Sequence, residues 1–313
     1  MTDRVDQLLE DILDGPAALE RLLAAYDGPK TPLAKIMPAL HARSRIAFAG
    51  LGSSRYAARI AASEMRAAGA SAWVEYASTG APTAPASDLA FVAISASGRT
   101  AEVIASASRH RGRSLVIAVT NDPGSELASA ADHVLELHAG REAAGVATRT
   151  FRATVAVLAM LAGRTPASLA STVGELGVLI DDRERWLPEM TDAIDGASAI
   201  DVLADAAILG LADQAALMLR EAPRLPATAH DTGDWLHTAV YLALPGHGAV
   251  LFPGARADAE VMDTIERRGG TVVKMPSATA APDPDPFRRA LVESIGGELL
   301  AAELWGRTSA VEA

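Results

Sequence analysis

LAFVAISASGRTAEV, residues 89–103, decides the fold. Its first half is apolar at nearly every position, without alternation, the pattern of a strand buried on both faces of a sheet. Hydroxyl residues and Gly98 then interrupt it, and a helical pattern is predicted from Thr100 to Arg109. A buried strand running through a short polar loop into a helix is half of a βαβ unit. Such units build parallel sheets covered on both faces.

The same plan repeats outward. RIAFAGLG (45–52), AWVEYAS (72–78), SLVIAVTND (114–122) and HVLELHAG (133–140) read as further strands. Helices are predicted over Ser54–Ala68, closed by Gly69, and over FRATVAVLAMLAG (151–163). Residues 1–45 read as helical with a break at Asp27-Gly-Pro-Lys30, and 166–195 as a helical link. The alternation then resumes. AIDVLADA (199–206), ATAHD (227–231), GAVLFPG (248–254) and GTVVKMP (270–276) are strands. DQAALMLREA (213–222), GDWLHTAVYLAL (233–244) and Ala257–Arg268 are helices. A Pro-rich connector (276–289) leads to a last helix ending near Trp305. The expected division is 1–165, 166–195 and 196–313: a helical segment with a first α/β domain, a linker, and a second α/β domain with a C-terminal helix.

The 313 residues carry a net charge of −11, which argues against nucleic acid as a partner. Cysteine is absent, so disulfides, thiolate metal sites and cysteine nucleophiles are excluded. Lys30, Lys35 and Lys274 are the only lysines, which limits Schiff-base chemistry to three positions. No apolar run approaches the ~20 residues that span a bilayer. The start, MTDRVDQLLEDILDG, lacks the features of a signal peptide, so a soluble cytoplasmic protein without a membrane partner is expected.

Ligands of parallel α/β sheets bind beyond the carboxyl ends of strands. ISASGRT (94–100) lies at such an end and opens a helix, whose N-terminal N–H groups and dipole suit an anion. Ser95, Ser97 and Thr100 add hydroxyls, and Gly98 permits close backbone approach. A phosphate held without a metal fits; an ordinary Ser/Thr helix cap is the competing reading. GLGSSRY (50–56) closes a neighbouring strand. Gly50, Gly52 and Glu75 resemble part of a dinucleotide fingerprint, but Arg55 stands at the third glycine position. Ser53 and Ser54 fit better as further hydroxyls beside ISASGRT. In EAPRLPATAHDTGDWLH (221–237), Glu221 and His237 are the carboxylate and imidazole wanted for moving protons on a sugar, unless one is a surface residue and the other a packed side chain. The remaining histidines show no clustering: His133 and His138 flank a strand, His41 and His110 lie among basic residues, His230 ends a short strand and His247 sits in a turn. No metal site is expected.

Together these pieces resemble the double sugar-isomerase (SIS) domain family, in particular the isomerase half of glucosamine-6-phosphate synthase and the stand-alone amino-sugar-phosphate isomerases and deaminases. LLEDILDGPAALERLL (8–23), GLGSSRYAA, ISASGRTAEV, TNDPGSELASAADHVLEL, EAAGVATRTF (142–151) and ALMLREAPRLPATAHDTGDWLH match in order. The resemblance implies two flavodoxin-like three-layer (αβα) SIS domains with parallel sheets, flanked by N- and C-terminal helices. It implies that Ser54, Ser95, Ser97 and Thr100 bind a substrate phosphate, with Ser53, Gly98, Ala147 and Thr148 as further pocket residues. It implies that Glu221 shuttles a proton between C1 and C2, and that His237 assists ring opening from the neighbouring subunit of a homodimer. The expected ligand is a hexose or hexosamine 6-phosphate, with no cofactor.

The departures are specific. Ala204-Asp205-Ala206 replaces a glycine-rich loop, and Thr238-Ala239 follows the histidine in place of Gly-Pro. Met218 stands where the synthase has a lysine, and the tail RTSAVEA (307–313) has none. The expected activity is aldose–ketose isomerisation of a phosphosugar, with deamination of an amino sugar phosphate and no glutaminase half. Deglycation of a sugar–amine adduct would use the same groups. Regulatory phosphosugar binding without turnover is the alternative, and a nicotinamide oxidoreductase rests only on Gly50, Gly52 and Glu75.

Overall fold

A computed structural model describes residues 2–311, with side chains from Arg4 to Thr308. Its contacts group into two units. One comprises Ala17–Arg141 and Arg149–Ser171. It contains five parallel strands: β1 (Arg45–Gly50), β2 (Ser71–Tyr76), β3 (Leu89–Ile94), β4 (Leu115–Thr120) and β5 (His133–Glu136), in the order β2-β1-β3-β4-β5. Every residue of β3 and β4 is buried, which is why their sequences lack a polar/apolar alternation. On one face Ala47, Ala49, Phe91, Ala93, Val116 and Ala118 pack with Val103 and Ala107 of helix Ala101–His110 and with Leu127 and Ala130 of the short helix Glu126–Ala130. Helix Ser53–Ala67 contacts β1, β2 and helix Arg149–Leu161. The strand order is that of a flavodoxin-like sheet.

The other unit comprises Met1–Pro16, Glu142–Thr148 and Thr172–Ala313. Four parallel strands, β6 (Ala199–Ala204), β7 (Ala227–Asp231), β8 (His247–Leu251) and β9 (Thr271–Lys274), run in the order β7-β6-β8-β9. This is the first sheet's order without its fifth strand. Leu203, Ala249 and Leu251 pack with Trp235 of helix Thr232–Thr238 and with Val261 and Ile265 of helix Asp258–Arg267. Helix Leu209–Glu221 contacts β6, β7 and the long helix Pro286–Val311.

The units cut the chain differently from the expected 1–165, 166–195 and 196–313. Helix Thr2–Leu13 belongs with the second sheet because it packs on helix Pro286–Val311, with the Arg4 guanidinium 5.7 Å from the Trp305 ring centroid. Segment 142–148 follows it there: Ala144 donates its N–H to Asp11 (3.0 Å) and its carbonyl accepts from Arg4 (3.0 Å). Residues 172–195 form helices of that same unit rather than a linker. The helix expected over 233–244 stops at Thr238, and a single 3₁₀ turn, Val240–Leu242, follows ahead of Pro245. Pro245 disfavours helical backbone at Leu244, so the turn does not extend to the expected end.

Candidate functional site

In the first sheet the strand order reverses between β1 and β3, which are hydrogen-bonded neighbours. The crevice beyond their carboxyl ends is where ligands of such sheets bind. Two helices start there, at Ser53 and at Ala101. Ser95 continues the pairing with an N–H bond to Val119 O (3.1 Å). The chain then turns: Gly98 N–H returns to Ser95 O (3.0 Å), and Gly98 adopts φ +64°. A Cβ at Gly98 would lie 2.1 Å from Ser125 Oγ, so both conformation and space require glycine. Ser125 is held there as the N-cap of helix Glu126–Ala130.

The capping reading of ISASGRT can be tested directly. Thr100 does occupy the N-cap of helix Ala101–His110, but its side chain makes no capping bond. Its hydroxyl turns back to Ser95 Oγ at 2.9 Å. The first helical bond is Ile104 N–H to Thr100 O (3.0 Å), and the N–H groups of Ala101, Glu102 and Val103 have no acceptor among the described residues. Ser97 is exposed, and its Oγ accepts from Arg99 N–H (3.2 Å). Across the crevice Gly52 caps the other helix, whose first bonds run from Arg55 and Tyr56 to Gly52 O. Neither the N–H groups nor the hydroxyls of Ser53 and Ser54 have a partner among the described residues. The crevice thus gathers two helix N-termini with Ser53, Ser54, Ser95, Ser97, Gly98 and Thr100, and Glu102 is the one acidic residue in the first turns of the two helices. Two helix N-termini lined with hydroxyls suit an anion.

The features that suggested a dinucleotide are used otherwise. Glu75 Oε2 accepts from both the N–H (3.0 Å) and the hydroxyl (2.6 Å) of Thr83. The Arg55 guanidinium lies over the Tyr76 ring, 4.2 Å from its centroid.

Glu221 and His237 are in the other unit. Glu221 ends helix Leu209–Glu221 with its side chain open to solvent. The protein mass around the carboxyl nevertheless raises its pKa, against a smaller opposing pull from Arg220. On the same helix Gln214 donates to Ala147 O (2.8 Å), so segment 142–148 lies along the helix that Glu221 terminates. Thr148 is fully buried, and its N–H and hydroxyl both donate to Glu142 (3.0 and 3.1 Å). Met218 is fully buried. His237 is exposed in the last turn of helix Thr232–Thr238 and has no hydrogen-bond partner among the described residues.

In the second sheet the strand order likewise reverses between β6 and β8. Asp258 Oδ2 accepts the N–H groups of Gly254 (2.6 Å) and Ala255 (3.0 Å) in the loop after β8. Burial raises the Asp258 pKa and nearby Asp205 adds to this, while the two N–H bonds and Arg289 oppose. Arg289 donates to Pro253 O (2.6 Å) and is paired with the buried Glu293 (2.8 Å).

Spacing along the sequence shows no clustering of His230 and His247, yet the fold brings both to one carboxylate. Asp201, on β6, is 4% exposed. His230 Nε2 lies 3.3 Å from its Oδ1, His247 Nε2 lies 3.0 Å from its Oδ2, and Trp235 Nε1–H donates to Oδ2 at 2.7 Å. Burial pushes the Asp201 carboxyl up, but the His230, Trp235 and His247 contacts together pull it below the ordinary value. Register explains the meeting: β7 and β8 flank β6, pairing His230 with Leu203 and His247 with Ala199, two positions either side of Asp201 and on its face of the sheet. An aspartate inside an apolar strand was the available signal. Among the described residues no group of three or more His, Cys, Asp or Glu side chains is disposed to hold a metal, and no helix is long and apolar enough to cross a membrane.

Residues 39–164 match the family model for the SIS domain. A curated relative, the glutamine–fructose-6-phosphate aminotransferase [isomerizing] of Aeropyrum pernix, is 31% identical over 238 residues, 67% of this chain but 37% of its own length. The chain therefore spans little more than a third of that relative. Two solved structures share the fold. The tagatose-6-phosphate ketose/aldose isomerase of Escherichia coli matches with a TM-score of 0.81 at 16% identity, over 96% of this chain and 93% of its own. The glucosamine-6-phosphate deaminase of Thermotoga maritima matches with a TM-score of 0.77 at 17% identity, over 96% and 95%.

Proposed function

We propose that this chain is a phosphosugar aldose–ketose isomerase that acts on an amino-sugar 6-phosphate and releases ammonia. The observation that carries the reading is the turned-back hydroxyl of Thr100. A helix cap would have used it on its own helix; here the N–H groups of Ala101, Glu102 and Val103 stay available to an anion. The phosphate is held by Ser54, Ser95, Ser97 and Thr100 together with those N–H groups. The SIS domain at 39–164 supports a sugar phosphate as the anion.

In this reading Glu221 takes the proton from C2 of the open-chain aldose and returns it to C1 through an enediol or enolamine. Desolvation strengthens it as a base. His237 moves a proton between the ring oxygen and the anomeric hydroxyl during opening. Where the substrate is an amino sugar, isomerisation makes an imine at C2, and water adds there to expel ammonia. The second sheet repeats the strand order of the first, which supports a second SIS domain. The active form is a homodimer whose sites are shared between subunits. Tyr241, Leu242 and Leu244, exposed just after the His237 helix, supply apolar surface for such an interface.

The deciding experiment incubates the protein with hexose and hexosamine 6-phosphates and follows isomerisation, ammonia and thermal shift. Turnover lost in Glu221→Gln, with a wild-type acid limb above the usual carboxylate range, supports the proposal. Its sign follows from the raised pKa: the base form disappears earlier on acidification than for an ordinary glutamate. Stabilisation by a phosphosugar without turnover gives the second reading, a regulatory binder. That reading is favoured by Met218, buried where the synthase has a lysine. Stabilisation by NAD and by no phosphosugar overturns both.

A further inference from the structure

We propose that Asp201 is a positioning residue that fixes His237 through the indole of Trp235. The inference rests on the reading of His237 given above. Helix Thr232–Thr238 has seven residues. So short a helix has little stability of its own, and its orientation follows from what it is tied to. It has two ties. Asp231 caps its start by accepting Asp234 N–H (2.9 Å). Trp235, fully buried, donates its one polar hydrogen to Asp201 Oδ2 at 2.7 Å. Indole is a donor only, so this bond has one possible polarity and needs an acceptor at that spot.

Asp201 is itself held from both sides. His230 Nε2 on β7 lies 3.3 Å from Oδ1 and His247 Nε2 on β8 lies 3.0 Å from Oδ2, so the carboxylate sits between imidazoles of both neighbouring strands. A fully apolar contact would bury Trp235 equally well but would fix the helix's rotation less closely than a directional hydrogen bond does. His237 is two residues beyond Trp235, about 200° around the helix, so it faces away from the sheet and turns with any roll. Small misplacements of a proton-transfer group are costly to rate. The carboxylate therefore acts on His237 without touching it.

Two variants test this. Asp201→Leu keeps the approximate volume but removes the acceptor, and Trp235→Phe keeps an aromatic ring but removes the donated hydrogen. The His237 imidazole is followed by proton–carbon NMR, its signal assigned from His237→Gln. Each variant is expected to move that signal and to lower kcat about 10- to 100-fold, with KM for the phosphosugar changed less than about threefold. The double variant is expected to match the single ones, because both remove one link. Val261→Ala is the control: it loosens the same apolar cluster and lowers Tm, but leaves the His237 signal and kcat in place. An unmoved His237 signal in both variants, losses that multiply in the double variant, or the same shift in Val261→Ala overturns the proposal. If the wild-type protein turns over no phosphosugar, the NMR arm still decides the positioning, and only the catalytic reading falls.

Discussion

Gly98 is where a single methyl group has the largest consequence. Its φ of +64° disfavours an L-side chain, and the Ser125 side chain occupies the space a Cβ needs. Gly98→Ala is expected to cost about 2–4 kcal/mol, the sum of left-handed strain and overpacking. Urea unfolding checks this. Because Ser125 also caps the next helix, the loss should come with weaker phosphosugar binding. Glu221 shows the opposite economy: an open side chain at a helix end, made more basic by its surroundings without any single close partner.

At the scale of elements, the first crevice is two helix starts meeting at a strand reversal. In the proposed reading its N–H groups meet the phosphate and the hydroxyls refine the fit. Ser97→Ala combined with Thr100→Val should therefore weaken phosphosugar binding at least about tenfold while costing about 1–2 kcal/mol of stability, mostly from stranding the buried Ser95 hydroxyl. Isothermal titration beside thermal unfolding separates the two effects; unchanged affinity would remove the phosphate assignment. These elements were legible because each carried its own punctuation. β3 and β4 announced themselves by unbroken apolar runs, and β7 was read at its observed bounds, Ala227–Asp231. What could not be read was whatever depended on register between strands far apart in sequence. Asp201, His230 and His247 meet only because three parallel strands align. The Thr100 hydroxyl's choice of Ser95 over its own helix is likewise a matter of rotamer, which spacing does not encode.

For the whole molecule, the unit boundaries follow packing rather than chain order, with 1–16 and 142–148 joining the second sheet. The phosphate crevice and the Glu221–His237 pair fall in different units, so no local segment contains the complete proposed machinery. If His237 serves the neighbouring subunit, mixing inactive Glu221→Gln and His237→Ala proteins, unfolding and refolding them together, should restore about a quarter of wild-type activity. That is the share of intact sites expected from random pairing in a two-fold dimer. No recovery would place both residues in one subunit's site.

Asp258 gives the repeated architecture an asymmetric meaning. The loop after β8 meets its anion intramolecularly, at an effective concentration that a dissolved phosphate cannot approach. Any outside ligand for that loop must compete with a tethered one that never diffuses away. If the first crevice holds the phosphate, this carboxylate predicts one bound phosphosugar per chain.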